Sequence, residues 1–206
     1  MIIDYSFWRP SAADLAGVNG AIRYISADAG KAATADELAF LHSRKIGTAV
    51  VFENGGQRAD AGGPAGIEDG RFCVAAAREL GVPAGQPIYV TVDFDIPDYA
   101  PSSSSALMKL GPVGDYLRQF NVAMGGQYQL GAYGGYWLVS RVLNAKIASR
   151  TWQTAAWSGG QIDSRICLYQ PGAALYGGQA DLDLAGWRDW GQFRRDGNSM
   201  LTGAQA

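Results

Sequence analysis

Hydrophobic and polar positions divide the chain into short apolar runs separated by longer mixed segments. Eight runs have the β-branched, aromatic or alternating character of strands: residues 1–6 (MIIDYS), 21–26 (AIRYIS), 48–53 (TAVVFE), 88–94 (IYVTVDF), 129–135 (QLGAYGG), 152–157 (WQTAAW), 166–170 (ICLYQ) and 180–185 (ADLDLA). Helical periodicity fills the gaps between the early runs. Residues 34–45 open with Thr34 as N-cap and Glu37 three positions on, the spacing of a capping box, and carry Leu38, Leu41 and His42 on one face. Residues 67–81 place Phe72, Val74, Ala75 and Leu80 on an apolar side and stop at Gly81. A longer stretch follows Ser102 to Ser105 and reaches Met124, with a break near Gly111 and Pro112, and residues 137–148 predict one more helix. The gaps after Trp157 and Gln170 are too short for a crossover helix, so the last strands should be antiparallel or irregular.

Strand–helix alternation over the first two-thirds predicts a parallel α/β sheet, and eight strands predict its closure. The expected fold is therefore α/β, a modified (β/α)8 TIM-like barrel whose helices are missing toward the C-terminal strands. One barrel domain should span residues 1–190, with a polar tail over residues 191–206. At 206 residues, a single core of that size is well supported.

In such barrels the chemistry lies at the C-terminal ends of the strands. Period-2 alternation puts Tyr89, Thr91, Asp93 and Asp95 on one side of the fourth run and Val90, Val92 and Phe94 on the other. The apolar side should face the helices and the polar side the lumen and its mouth. The first run likewise ends near Asp4, the third ends at Glu53, and the last carries Asp181 and Asp183 two apart. Crowded carboxylates oppose one another's ionisation, so one acid of such a group should stay protonated, as a general acid must. Arg23, on the second run, is placed to offset part of this charge.

Other readings of these acids carry weight. An acid after a strand often caps the next helix, and Asp98, between Pro97 and a serine run, reads as a turn residue. The Asp-x-Asp pair at 93 and 95 also suits a divalent cation in a metal-dependent transferase, although no glycine-rich phosphate loop or basic patch accompanies it. Aromatic and amide side chains gather at the strand ends: Tyr24, Tyr133, Trp137, Trp152 and Gln170. Some must be core, yet such a set beside acids suits a sugar, which offers an apolar face to a ring and hydroxyls to amides and acids.

Composition narrows the classes further. A net charge of −2 gives no footprint for nucleic acid or an acidic membrane surface. His42 is the only histidine, and Cys73 and Cys167, both in apolar contexts, are the only cysteines. A zinc site or histidine-based triad is thereby disfavoured, and the cysteines read as buried free thiols. The N-terminal residues carry no signal-peptide pattern and no run reaches transmembrane length.

Taken in order, IDYSFWRP, RYIS, VVFENGG, LGVPAGQPIYVTVDFD, GAYGGYW, WQTAAWSGG, LYQPG and DLDL resemble the glycoside-hydrolase-like domain of actinobacterial and phage proteins, related to the Chalaropsis-type lysozymes. The resemblance spans about residues 1–190. It implies N-acetylmuramidase-like chemistry on peptidoglycan, with Asp4 matching the acid of the first strand, Asp93 the first acid of the lysozyme Asp-x-Glu motif and Asp181 the acid of the last strand. Asp95 stands where those lysozymes carry the glutamate that protonates the leaving oxygen, so the proton donor is expected to be Asp95 or Glu53. The site expected on these grounds has Asp4, Glu53, Asp93, Asp95 and Asp181 as catalytic acids. Tyr24, Tyr133, Trp137, Trp152, Gln170 and Asp183 are expected to contact substrate. No cofactor is expected, and the partner is cell-wall glycan met by a monomer. The start at residue 1 without a signal suits a phage lysin, held in the host cytoplasm until lysis, or a virion-associated protein. A non-catalytic carbohydrate-binding relative is the alternative.

Overall fold

The computed structural model describes residues 1–194. Eight strands close a barrel in the order β1 (Ile2–Asp4), β2 (Gly20–Ile25), β3 (Gly47–Phe52), β4 (Pro87–Thr91), β5 (Gln129–Gly134), β6 (Arg150–Thr154), β7 (Leu168–Gln170) and β9 (Ala180–Ala185). The short β8 (Ala174–Leu175) forms a hairpin on β9. Strands β1 to β7 are parallel neighbours, and β9 closes the ring antiparallel to both β7 and β1. Among the barrel strands, the expectation that the last ones are antiparallel holds for β9 alone; β7 runs parallel to β6, because the loop after β6 returns the chain to the barrel base without a crossover helix.

Helices follow β2 to β5: α1 (Ala35–Ser43), α2 (Gly63–Glu79), α3 (Ala106–Met124) and α4 (Tyr136–Asn144). None follows β6 among the described residues. Thr34 caps α1 by accepting from the Glu37 amide at 3.1 Å. The Glu37 side chain does not return to close a capping box. It turns to Arg23, 2.6 Å from Nε. α3 breaks at Gly111 (φ 51°, ψ −135°), before Pro112, where a side chain at position 111 would collide with the Tyr99 ring.

Alternation along the strands sorts two cores. Ile2, Ile22, Val51, Tyr89, Tyr133 and Trp152 fill the lumen, whereas Ile3, Ala21, Val50, Val90 and Ala132 pack under the helices. Arg23 falls in the outer set. It is fully buried, its guanidinium lies 4.2 Å from the Tyr5 ring centroid, and it donates to the Tyr5 carbonyl as well as pairing with Glu37. The expectation that Arg23 neutralises the mouth fails because its strand position faces the helix layer.

Trp190 plugs the lumen from below, its carbonyl accepting from Tyr89 Oη at 2.7 Å. The chain remains packed beyond the expected boundary at residue 190. Gln192 and Phe193 are buried, and Phe193 bridges Thr48 at the base of β3. The rest of the expected polar tail, residues 195–206, lies outside the described residues. Cys73 is buried in the helix layer and Cys167 in the lumen, both as free thiols. No helix among the described residues is long and apolar enough to cross a membrane.

Candidate active site at the barrel mouth

β1 delivers Asp4 to the lumen side at its C-terminal end. Because β9 runs antiparallel, Asp4 pairs across the sheet with Asp181, and Ile2 with Asp183. Cross-strand partners share a face, so both aspartates of β9 point inward with Asp4. Asp181 therefore opens its strand at the mouth rather than ending it, and Asp183 sits one step deeper. Strand β4 departs differently from expectation. Its pairing to β5 stops at Thr91–Tyr133, so the alternation that would carry Asp93 and Asp95 along one side stops there too.

Asp93 stays at the mouth, where its amide donates to the Gly56 carbonyl at 3.2 Å. Asp95 is exposed and turns to the rim, lining a narrow niche with Gly135, Trp137, Leu138 and Trp157. The two acids of the Asp-x-Asp pair face different neighbours. Among the described residues no group of His, Cys, Asp and Glu is arranged to hold a metal ion.

Inside the mouth hydrogen bonds join β5, β7, β1 and β2 in one chain and β6 to β9 in a separate pair. Tyr133 Oη donates to Gln170 Oε1 at 2.8 Å, and Gln170 Nε2 donates to Asp4 Oδ2 at 2.8 Å. Tyr24 Oη donates to Asp4 Oδ1 at 3.2 Å, and Trp152 Nε1 donates to Asp183 Oδ1 at 2.8 Å. Trp152 is 1 % exposed and packs edge-on against Tyr89 and Tyr133. It supports the site from within the lumen rather than offering a face to a sugar. Gln170 and Asp183 are likewise buried, whereas Trp137 on the rim is open.

The electrostatics follow from this packing. Burial pushes the Asp4 carboxyl upward and the nearby Asp181 charge adds to it, while the hydrogen bonds from Gln170, Asp183 and Tyr24 oppose it. Asp183 is pushed well above the usual carboxylate range, first by burial and then by Asp4. Asp181 is raised by burial. Asp93 is raised by burial and by the Glu53 charge, with Lys31 opposing. Glu53 itself is ion-paired, with Lys31 Nζ 2.6 Å from its Oε1, and the same ammonium lies 4.5 Å from the centroid of the Tyr24 ring. Lys31, the cation that pairs with Glu53 and faces Asp93, is a candidate-site residue that the strand-end reading missed. The β2–α1 loop brings it there by folding back, with Ala33 N donating to the Tyr24 carbonyl at 2.8 Å. A signal existed: of the four lysines, only Lys31 falls in a strand-to-helix loop, whereas the others lie in or at the ends of helical segments. A pocket of about 280 Å³ beside it is lined by Phe7, Asp28, Lys31, Glu53 and Asn54, and Phe7 is 62 % exposed.

Two clamps, one built on the buried Asp69 and one on the buried Arg141, steady the loops that present these groups. Asp69 of α2 accepts from Tyr116 Oη at 2.8 Å and Arg58 Nε at 2.9 Å. Asp98, expected as a turn residue, pairs with Arg141 of α4, whose Nη1 donates to the Pro97 carbonyl at 3.0 Å. The mouth thus combines an open, partly desolvated acid, an ion-paired carboxylate and a lumen network of acids with neutral donors. That set can deliver a proton and stabilise developing positive charge on opposite sides of a small opening.

The Rv2525c-like, glycoside hydrolase-like domain profile matches residues 11–194. No curated protein matches in sequence. Among solved structures, the Tat-secreted protein Rv2525c of Mycobacterium tuberculosis, in complex with L-tartrate, superposes with a TM-score of 0.78 at 22 % identity, covering 93 % of this chain and 97 % of that one. The catalytic domain of endolysin ply40 from bacteriophage P40 of Listeria monocytogenes gives 0.56 at 14 % identity over 89 % and 91 % of the two chains. The modular autolysin LytC of Streptococcus pneumoniae, in complex with a synthetic peptidoglycan ligand, gives 0.56 at 15 %, covering 88 % of this chain and 45 % of that one. At these identities the structural likeness speaks to the fold.

Proposed function

The chain belongs to the family of Rv2525c-like, glycoside hydrolase-like domains, and on that premise we propose that its mouth binds and hydrolyses cell-wall peptidoglycan in the manner of a muramidase. One observation carries the reading: Asp93 is an acid of the mouth that is exposed to a ligand and also shifted toward holding its proton. In this role Asp93 protonates the leaving glycosidic oxygen, while the negative charge of Asp4 and Asp181 across the opening stabilises the oxocarbenium-like state. Tyr24 and the rim Trp137 offer sugar contacts. Glu53, already engaged by Lys31, holds that loop against the substrate. The likeness to an endolysin catalytic domain and to an autolysin supports a lytic role, which we place in a phage lysin or virion-associated lysin reaching the wall upon lysis.

A second reading has its own observation. Asp95 is a methylene shorter than the glutamate of the related lysozymes and sits on the rim with Trp137 and Trp157. A relative lacking that donor would bind glycan without cleaving it. Release of reducing ends from purified peptidoglycan, scored beside co-sedimentation with it, separates the two. Hydrolysis by the parent that disappears in Asp93→Asn supports the first reading. Sedimentation with no release by the parent supports the second. Undiminished release by Asp93→Asn refutes the assignment of Asp93.

A further inference from the structure

One oxygen at the floor of the mouth lacks a donor. Asp183 Oδ1 accepts from Trp152 Nε1, but Asp183 Oδ2 has no hydrogen-bonding donor among the described residues, although Asp183 is only 2 % exposed. Its lumen neighbour Asp4 is the reverse case, with a donor on each oxygen: Tyr24 Oη on Oδ1 and Gln170 Nε2 on Oδ2. Tyr133 fixes the Gln170 amide by donating to its oxygen, so the nitrogen must face Asp4. A fully ionised pair here is costly twice over, once for the orphaned acceptor and once for two like charges in a closed lumen. A single proton on Asp183 Oδ2 removes both costs, because it turns the orphan into a donor and gives Asp4 a third hydrogen bond.

We propose that Asp183 is a positioning residue, protonated at neutral pH, that donates through Oδ2 to Asp4, so that the pair holds one negative charge, localised on Asp4, beneath the acids of the mouth. The titration tendencies agree in direction. The Asp183 hydrogen bond eases the ionisation of Asp4, and Asp4 raises Asp183. The groups that face the pair are Asp181 from β9, Tyr24 from β2, Tyr89 from β4 and Tyr133 from β5, with neutral Trp152 from β6 and Gln170 from β7. Lys31 is spent on Glu53 above them. The inference deepens the glycan reading and relies on it only for the purpose of the charge. Asp4 is then a carboxylate of fixed orientation backing Asp181 and Asp93, and Asp183 never touches substrate.

Asp183→Asn tests this, since the amide nitrogen can donate to Asp4 while its oxygen keeps the Trp152 bond. In infrared difference spectra at neutral pH the parent should show a protonated-carboxyl C=O band that the variant lacks. The melting temperature of the variant minus that of the parent should rise by about 3 °C or more between about pH 5 and about pH 9. A carboxyl raised in the folded state costs increasing stability as pH climbs from its unfolded value to its folded one, and the amide escapes that cost. A residue with a merely packing role would shift the melting point equally at every pH. Carbon-13 titration of aspartate carboxyls probes the same proton in the parent, without a variant: one carboxyl should still be protonated at neutral pH. A parent whose aspartates are all ionised there, or a pH-independent gap, overturns the proposal. None of these readouts involves glycan, so a failure of the peptidoglycan reading would show separately, as absent sedimentation and release.

Discussion

Replacing Glu37 by Gln isolates the charge that balances Arg23. The guanidinium is wholly enclosed in the helix layer and Glu37 is 10 % exposed, so neither partner can exchange its counter-charge for water. Gln preserves the shape and an oxygen acceptor but leaves a buried cation. Breaking a buried pair from one side costs about 3–5 kcal/mol. Arg23 keeps the Tyr5 carbonyl, the Lys31 carbonyl at 3.4 Å and the face of the Tyr5 ring, which places the cost near the lower end of that range. At about 2–4 °C per kcal/mol for a chain of this size, the melting temperature should fall by about 6–12 °C. The loss should change little with added salt, because the pair is out of reach of mobile ions. Removing both charges, in Arg23→Met with Glu37→Leu, should recover at least half of it. Differential scanning calorimetry of the three variants in low and high salt decides the matter. A fall under about 2 °C for Glu37→Gln, or a double variant no better than the single one, would refute the view that a desolvated ion pair fastens β2 to α1. The same pair steadies the site, since the Tyr5 carbonyl it holds follows Asp4.

Four further outcomes are expected. Asp93→Asn should melt slightly higher than the parent at neutral pH and no higher at pH below about 4, because the raised Asp93 carboxyl costs stability only where it ionises; a thermal-shift series across pH checks the sign. Asp95→Glu should leave glycan release within about two-fold, its carboxyl being on the rim, whereas a ten-fold rise in the reducing-end assay would return the donor role to that position. Gly66→Ala should destabilise by about 2 kcal/mol or more in urea titrations despite its better helix propensity, since the new Cβ would lie 2.3 Å from the Tyr116 carbonyl oxygen where α2 crosses α3. Thiol titration with a disulfide reagent should count two thiols in denaturant and none in the native protein, where burial pushes both sulfhydryls up, Cys167 to about 11, and the melting point should ignore reductant.

The barrel was legible because its evidence is periodic: eight runs, helices between the early ones, and gaps after residue 157 too short to hold more. The lumen face of β4 was legible as far as Thr91, where pairing enforces alternation. Past that point the backbone answers to loop contacts, and two acids with the same apparent phase, Asp93 and Asp95, end up in different places. Asp181 and Asp183 were read onto the correct face although the sense of their strand was not known, because alternation survives reversal of chain direction. Arg23 and Glu37 show the opposite failure. Each had a local role, offsetting charge and closing a cap, that a contact between different elements overrode. Lys31 escaped notice because its place depends on a loop folding back, and hydropathy carries no trace of that.

The reversed β9 has one more consequence, for how the molecule can be mounted. A parallel eighth strand would bring the chain out at the mouth. Here the chain descends through β9 and passes under the barrel to Phe193 beside Thr48, while Met1 sits at the same end, its carbonyl bonded to the amides of Asn19 and Gly20. Entry and exit of the described chain share the face opposite the cleft. A bead or a fused protein joined beside either would leave the acids pointing outward, away from the support.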